Sequence, residues 1–183
     1  MANVRGVTVL NVIRYVRETH GSDRHQEVVE AVPEPHRSTF ARPIREASWV
    51  PVADLAAYLE AAQKLLASGD ALFFRRVGRF SGQLERGSQG FKVMVADPST
   101  AMRMGPVLWR SFFDVGRLEV EILGPREART RVFDFPASRA LCDRRAGAWE
   151  GLLSTPELRV EVAETRCCLS GSDFCENQVL WIG

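Results

Sequence analysis

Hydrophobic residues recur at helical spacing in the first half of the chain and alternate with polar residues in much of the second half. The first predicted helix contains the apolar positions Val9, Leu10, Val12, Ile13 and Val16 and ends at Gly21. Further helices are predicted at 23–32, 52–67, 70–77 and 100–113. Gly105-Pro106 breaks the last of these, and the segment 78–82, Gly-Arg-Phe-Ser-Gly, also predicts a helix break.

The second half predicts a sheet interrupted by one helix. Leu118, Val120 and Ile122 alternate with acidic residues, and strands are also predicted at 129–133, 158–164 and 175–181, with a helix at 137–153. The expected class is α+β, with a helical N-terminal half and an antiparallel sheet of about four strands in the order β-β-α-β-β. We expect one compact domain over 1–183, mainly helical over 1–90 and α+β over 91–183.

Composition limits the possible functions. The 183 residues are 45% hydrophobic, enough for one buried core, and the formal net charge is +1. Such a charge gives no field that would attract nucleic acid or an acidic membrane. The N-terminus lacks the pattern of a secretion signal, and no segment approaches the roughly 18 apolar residues of a membrane span. These features predict a cytoplasmic protein with reduced thiols.

Three cysteines and one acidic residue near the C-terminus are candidates for a closed zinc site. Alternation places Glu164 on the apolar face of its strand, where a metal or an arginine would have to compensate the buried charge. Cys167 and Cys175 flank the turn of the same hairpin, and Cys142 lies on the apolar face of the preceding helix. Three thiolates and a carboxylate suit tetrahedral zinc, although the cysteines could equally be small core residues.

The order of a cysteine on a helix, Glu-x-x-Cys, a Gly-Ser-Asp turn and a further cysteine before an aromatic strand resembles the four-vinyl reductase domain family. This family includes sensory domains of phenol- and toluene-responsive activators and is related to trafficking-complex subunits. The resemblance implies structural zinc on Cys142, Glu164, Cys167 and Cys175. Cys168 has no role in that pattern and could pack or replace Cys167.

The whole chain also resembles a paralogous family expanded in myxobacteria. The shared segments are Val4-Arg5-Gly6, the stretch 15–21 (Tyr-Val-Arg-Glu-Thr-His-Gly) and Ser48-Trp49-Val50-Pro51. This resemblance implies kinship without implying an activity.

An aromatic and methionine cluster is the candidate for a ligand pocket. It consists of Met94, Met102, Trp109, Phe112, Phe113 and Phe133. These side chains could line an apolar pocket, but their helical spacing favours ordinary core packing.

The helical N-terminal half also resembles haem-based nitric-oxide sensors. A proximal ligand would have to be His20, His25 or His36, each near a helix end or a proline turn and flanked by charge. Their positions favour surface roles over haem binding.

The leading hypothesis is a non-enzymatic sensory or regulatory module with structural zinc, which binds a small hydrophobic ligand and signals to a separate protein. The alternative is a protein-interaction scaffold, and a zinc enzyme or haem-based gas sensor ranks below both. Four protein ligands would leave zinc no open position for catalysis. The resemblance also implies a homodimer, for which a stripe on the helix at 52–67 is the candidate surface: Leu55, Tyr58, Leu59, Leu65 and Leu66.

Overall fold

Helices form most of the first half of the molecule and a four-stranded sheet forms the second. The computed structural model describes residues 1–87 and 97–183. Its helices are α1 (Gly6–His20), α2 (Ser22–Ala31), α3 (Val52–Leu66), α4 (Phe73–Gly87), α5 (Pro98–Arg103), α6 (Gly105–Phe112) and α7 (Arg139–Leu153). Its strands are β1 (Asn3–Arg5), β2 (Trp49–Pro51), β3 (Arg117–Gly124), β4 (Glu127–Phe133), β5 (Arg159–Arg166) and β6 (Phe174–Ile182). Short 3-10 helices lie at His36–Ala41 and Cys168–Ser170.

The predicted α+β class is confirmed, as is the β-β-α-β-β order of the second half. The main sheet is antiparallel with strand order β3-β4-β6-β5, so its two hairpins meet through β4 and β6. The edge strands β3 and β5 each contain a register shift, between Ile122 and Gly124 and between Glu164 and Arg166. Strands β1 and β2 form a separate antiparallel pair.

Helix α7 separates two apolar cores and contributes to both. Ala140 and Leu141 near its start pack with the helical core of α1 to α4. Trp149 and Leu153 near its end pack against the inner face of the sheet. Because one helix belongs to both cores, the helical layer and the sheet are held together through α7.

Helices α4 and α7 approach so closely that their backbones are in contact. A methyl group on Gly78 or Gly82 would overlap the backbone of α7, and one on Gly147 or Gly151 would overlap the backbone of α4. Only glycine permits such an approach. The predicted break at 78–82 is therefore wrong: α4 is continuous there, and its glycines provide the contact with α7.

An ion-pair clamp reinforces this crossing. The Glu150 side chain, only 4% exposed, accepts hydrogen bonds from Arg79 at 2.7 Å and from Arg75, which also donates to the carbonyl of Val162 on β5. Burial by itself raises the pKa of the Glu150 carboxyl, but the two arginines outweigh burial and lower it. Glu150 therefore stays charged while connecting α4, α7 and the sheet.

Among the described residues, no helix combines the length and apolar character needed to cross a bilayer.

The helix crossing predicts opposite effects for two glycine substitutions. Gly147→Ala should lower the free energy of unfolding by about 3 kcal/mol, because the new methyl group meets the Arg75 carbonyl. Gly87→Ala, at an open position on α4, should leave stability unchanged or raise it by up to ~1 kcal/mol. Urea denaturation measures both. Equal effects of the two substitutions would show that the close crossing is not required.

Candidate functional site

A cavity of about 110 Å³ lies between the helical layer and the sheet. Its apolar wall comes mainly from α6, β3 and α7 and includes Leu108, Trp109, Phe113, Leu118 and Trp149. The Trp109 and Phe113 rings lie 4.3 Å apart between centroids, and Phe135 meets both edge-on. The Trp109 indole nitrogen donates to the Val115 carbonyl at 3.1 Å, which fixes the ring against the cavity.

Charged groups from α4 and α7 also line the cavity. They are Glu85, Arg144 and Arg145. Arg144 is only 6% exposed, and within the described part of the chain its Nε has no hydrogen-bond partner. Burial lowers the pKa of Arg144, an effect that the charge of Glu85 opposes. Burial raises the pKa of Glu85, against the opposing effects of Arg144 and a hydrogen bond with Asn11.

Arg145 lies between this cavity and a group of cysteines. It lines the cavity, and it also lowers the pKa of the Cys175 thiol. Burial alone would raise the pKa of the Cys175 thiol, but the Cys168 backbone amide and Arg145 lower it overall. The two sites are thus adjacent through one guanidinium group.

The three cysteines predicted as metal ligands come together. The Sγ atoms of Cys142, Cys167 and Cys175 are 3.7 to 4.0 Å apart, and all three residues are buried. Among the described residues they form a group compatible with a metal ion, but that group does not include Glu164. Cys168 is half-buried and donates its backbone amide to Cys175.

Glu164 has a different partner. Both of its carboxylate oxygens accept hydrogen bonds from Arg139 at 3.0 Å, in a two-pronged contact between β5 and the start of α7. Glu164 is exposed on β5, so the predicted inward-facing carboxylate with a buried charge is wrong, and its ion pair with Arg139 lies near the surface.

The predicted pocket residues have four different outcomes. Trp109, Phe112 and Phe113 line the cavity, whereas Met102 is fully buried in the sheet core. Phe133 does not line the cavity; its ring packs at a tilt beside Phe174 and lies under the Arg117 guanidinium. Met94 lies outside the described residues.

The histidines have other roles. His25 Nδ1 bonds the Tyr58 hydroxyl at 2.8 Å, and His36 Nδ1 bonds Asp54 at 2.7 Å. His20 packs beside the rings of Tyr15 and Phe73. None of the three lines the cavity described above.

Known structures reveal the fold. The chain matches the structure of an H-NOX protein from S. oneidensis in the Fe(II)NO ligation state at TM-score 0.75 and 14% identity, over 98% of this chain and 99% of that one. The chain has the H-NOX fold. The Fe(II) unliganded H-NOX protein from K. algicida matches at TM-score 0.75 and 8% identity, and a T. tengcongensis H-NOX mutant at 0.71 and 16%. These two matches cover 98% of this chain, with 97% and 98% of the other chains. By sequence, neither a protein-family model nor a curated protein matches the chain.

These matches correct the expected family, function and cofactor. The resemblance to four-vinyl reductase domains is wrong, because the structural neighbours are H-NOX (haem nitric oxide/oxygen binding) proteins. The zinc-containing sensor is therefore wrong as well, and the scaffold is not favoured, because the S. oneidensis neighbour is an H-NOX protein in the Fe(II)NO ligation state. Zinc as the cofactor is also wrong: the metal in the S. oneidensis and K. algicida structures is Fe(II), and in this chain Glu164 pairs with Arg139.

Haem does not fit the cavity. Proteins hold haem iron through histidine, cysteine, methionine or tyrosine. Among the described residues none of these types lines the cavity, and the sequence contains no histidine after His36.

The cavity is lined by charged groups that the sequence interpretation missed, namely Glu85, Arg144 and Arg145. A signal was present, because Arg144 falls at helical spacing with Leu141, Ala148 and Leu152, on an apolar face.

The part-buried contact of His25 with Tyr58 predicts a pH-dependent stability. Burial and the charge of Arg17 lower the pKa of His25 from 6.5 to about 4. The unfolded chain therefore binds an extra proton between these values, so stability is complete above pH 6.5 and falls as the pH approaches 4. After allowance for solvent screening we expect a loss of about 1–2 kcal/mol. Urea denaturation at pH 7.5 and at pH 4.5 gives the free energy of unfolding at each pH. The decrease between the two should be smaller for His25→Gln than for the original chain. An equal decrease would show that His25 is not the group responsible.

Proposed function

We propose that this protein is a non-enzymatic sensory domain with the H-NOX fold that binds a small, mainly apolar molecule directly, without haem. The observation that carries the proposal is a cavity with an aromatic wall and no axial ligand for haem iron among its described lining residues. The fold supports a sensory role because the S. oneidensis neighbour was captured in a ligated state, Fe(II)NO. In this chain the protein wall itself would recognise the ligand.

The size and lining of the cavity favour a small molecule. An apolar cavity of about 150 Å³ is known to bind benzene or xenon, and this cavity measures about 110 Å³. Its aromatic rings offer edges and faces for contact, and Thr8 adds a hydroxyl group. Glu85 and the two arginines are the ionisable groups among the described lining residues, an arrangement that supports binding more than covalent catalysis.

The proposal includes a separate protein partner and a cytoplasmic location. Homodimerisation stays a prediction. Its candidate stripe is largely internal, since Leu55, Tyr58 and Leu59 are buried in the helical core and Leu65 is exposed. A dimer would therefore need a different surface, and light scattering at micromolar concentration tests for one.

Ligand binding predicts a cavity-specific thermal shift. Toluene at ten times its dissociation constant should raise the melting temperature by about 3–5 °C, because it stabilises only the folded state. Ala148→Leu places extra side-chain volume at a cavity-lining position and should remove this shift. The matched control Ala53→Leu adds the same volume at an exposed position on α3 and should retain it.

Two results would overturn the proposal. One is the absence of a shift from a panel of neutral benzene derivatives, with a folded protein confirmed by circular dichroism. The other is stoichiometric haem binding, seen as a Soret band that persists through gel filtration after incubation with hemin.

A further inference from the structure

The cavity combines an apolar wall with a buried cation, which is more specific than a purely apolar pocket. We propose that its ligand is a small aromatic or branched aliphatic carboxylate whose head group binds Arg144. This inference rests on the proposed function and identifies the class of ligand.

Arg144 provides an unsatisfied donor at the cavity. Its side chain is more than nine-tenths buried, it lines the cavity, and its Nε has no partner among the described residues. A buried N–H without an acceptor is unfavourable, and a buried cation even more so. A carboxylate placed in the cavity would satisfy both the hydrogen bond and the charge. A neutral hydrocarbon would satisfy neither.

The local charge balance also favours an anion. Two guanidinium groups, Arg144 and Arg145, line the cavity together with one carboxylate, Glu85. Two of the Arg145 nitrogens, Nε and Nη2, are likewise buried without a partner in the described chain. Burial raises the pKa of Glu85, against the opposing effects of Arg144 and Asn11.

The geometry of the groups indicates a carboxylate in particular. A guanidinium presents donors in a planar fork that matches the two oxygens of a carboxylate. The rest of the wall is apolar and aromatic, including Trp109, Phe113 and Trp149, so the body of the ligand should be a compact hydrocarbon. Benzoate and its close relatives have this shape.

A matched pair of probes tests the inference. Benzoate and benzyl alcohol share a ring and differ in the charged head group, so calorimetric titration with each isolates the contribution of the carboxylate. We expect benzoate to bind the original chain at least tenfold more tightly. Arg144→Met should remove this preference while changing the affinity for benzyl alcohol less than threefold.

Two further variants complete the test. Arg139→Met changes an arginine of the same helix that pairs with Glu164 and does not line the cavity, so it should keep the preference. Glu85→Gln retains Arg144 and removes a competing carboxylate, so it should tighten benzoate binding several-fold. This variant keeps the inference testable if Arg144→Met does not fold.

The outcomes separate this inference from the proposed function. Binding of benzyl alcohol or toluene without a preference for benzoate would overturn the carboxylate inference alone. Binding of neither class would overturn the proposed function as well. A benzoate preference that survives Arg144→Met in a folded protein would show that Arg144 is not the binding group.

Discussion

The close crossing of α4 and α7 is the contact on which the rest of this structure depends. Glycines on both helices remove the side chains that would keep the backbones apart, and the Glu150 clamp fixes their rotation about the contact. Close packing of this kind is intolerant of added volume. It therefore fixes the position of α7 relative to the helical layer.

Helix α7 contributes side chains to both the cavity and the cysteine cluster. Its Cys142 joins the other two clustered cysteines, its Arg144 and Arg145 line the cavity, and its Glu150 pairs with arginines of α4. Polar groups on one rigid helix keep their spacing when a ligand enters. The aromatic wall comes from the other side, where α6 and β3 follow each other in the chain. Helix α7 itself contributes both arginines and apolar side chains such as Trp149 to the cavity.

Much of the fold could be predicted from the sequence, because each main element has a clear period. The helix at 52–67 and the alternation from Leu118 to Ile122 correspond to α3 and β3. Gly78 and Gly82 were misinterpreted because a glycine that breaks a helix and one that admits a neighbouring helix look alike in one sequence. The cavity was predicted only in part. Aromatic residues suggested a pocket, but whether they surround space depends on packing, which periodicity does not describe.

The edges of the sheet limit how this domain can contact another protein. Both edge strands carry a register shift, and the exposed end of β5 contains charged residues such as Glu164 and Arg166. Bulges and charges at an edge oppose the addition of a further strand. A partner would therefore bind through side chains on helical or sheet faces instead of extending the sheet. Single substitutions could change the affinity of such a contact stepwise, whereas the addition of a strand depends on the pairing of a whole backbone segment.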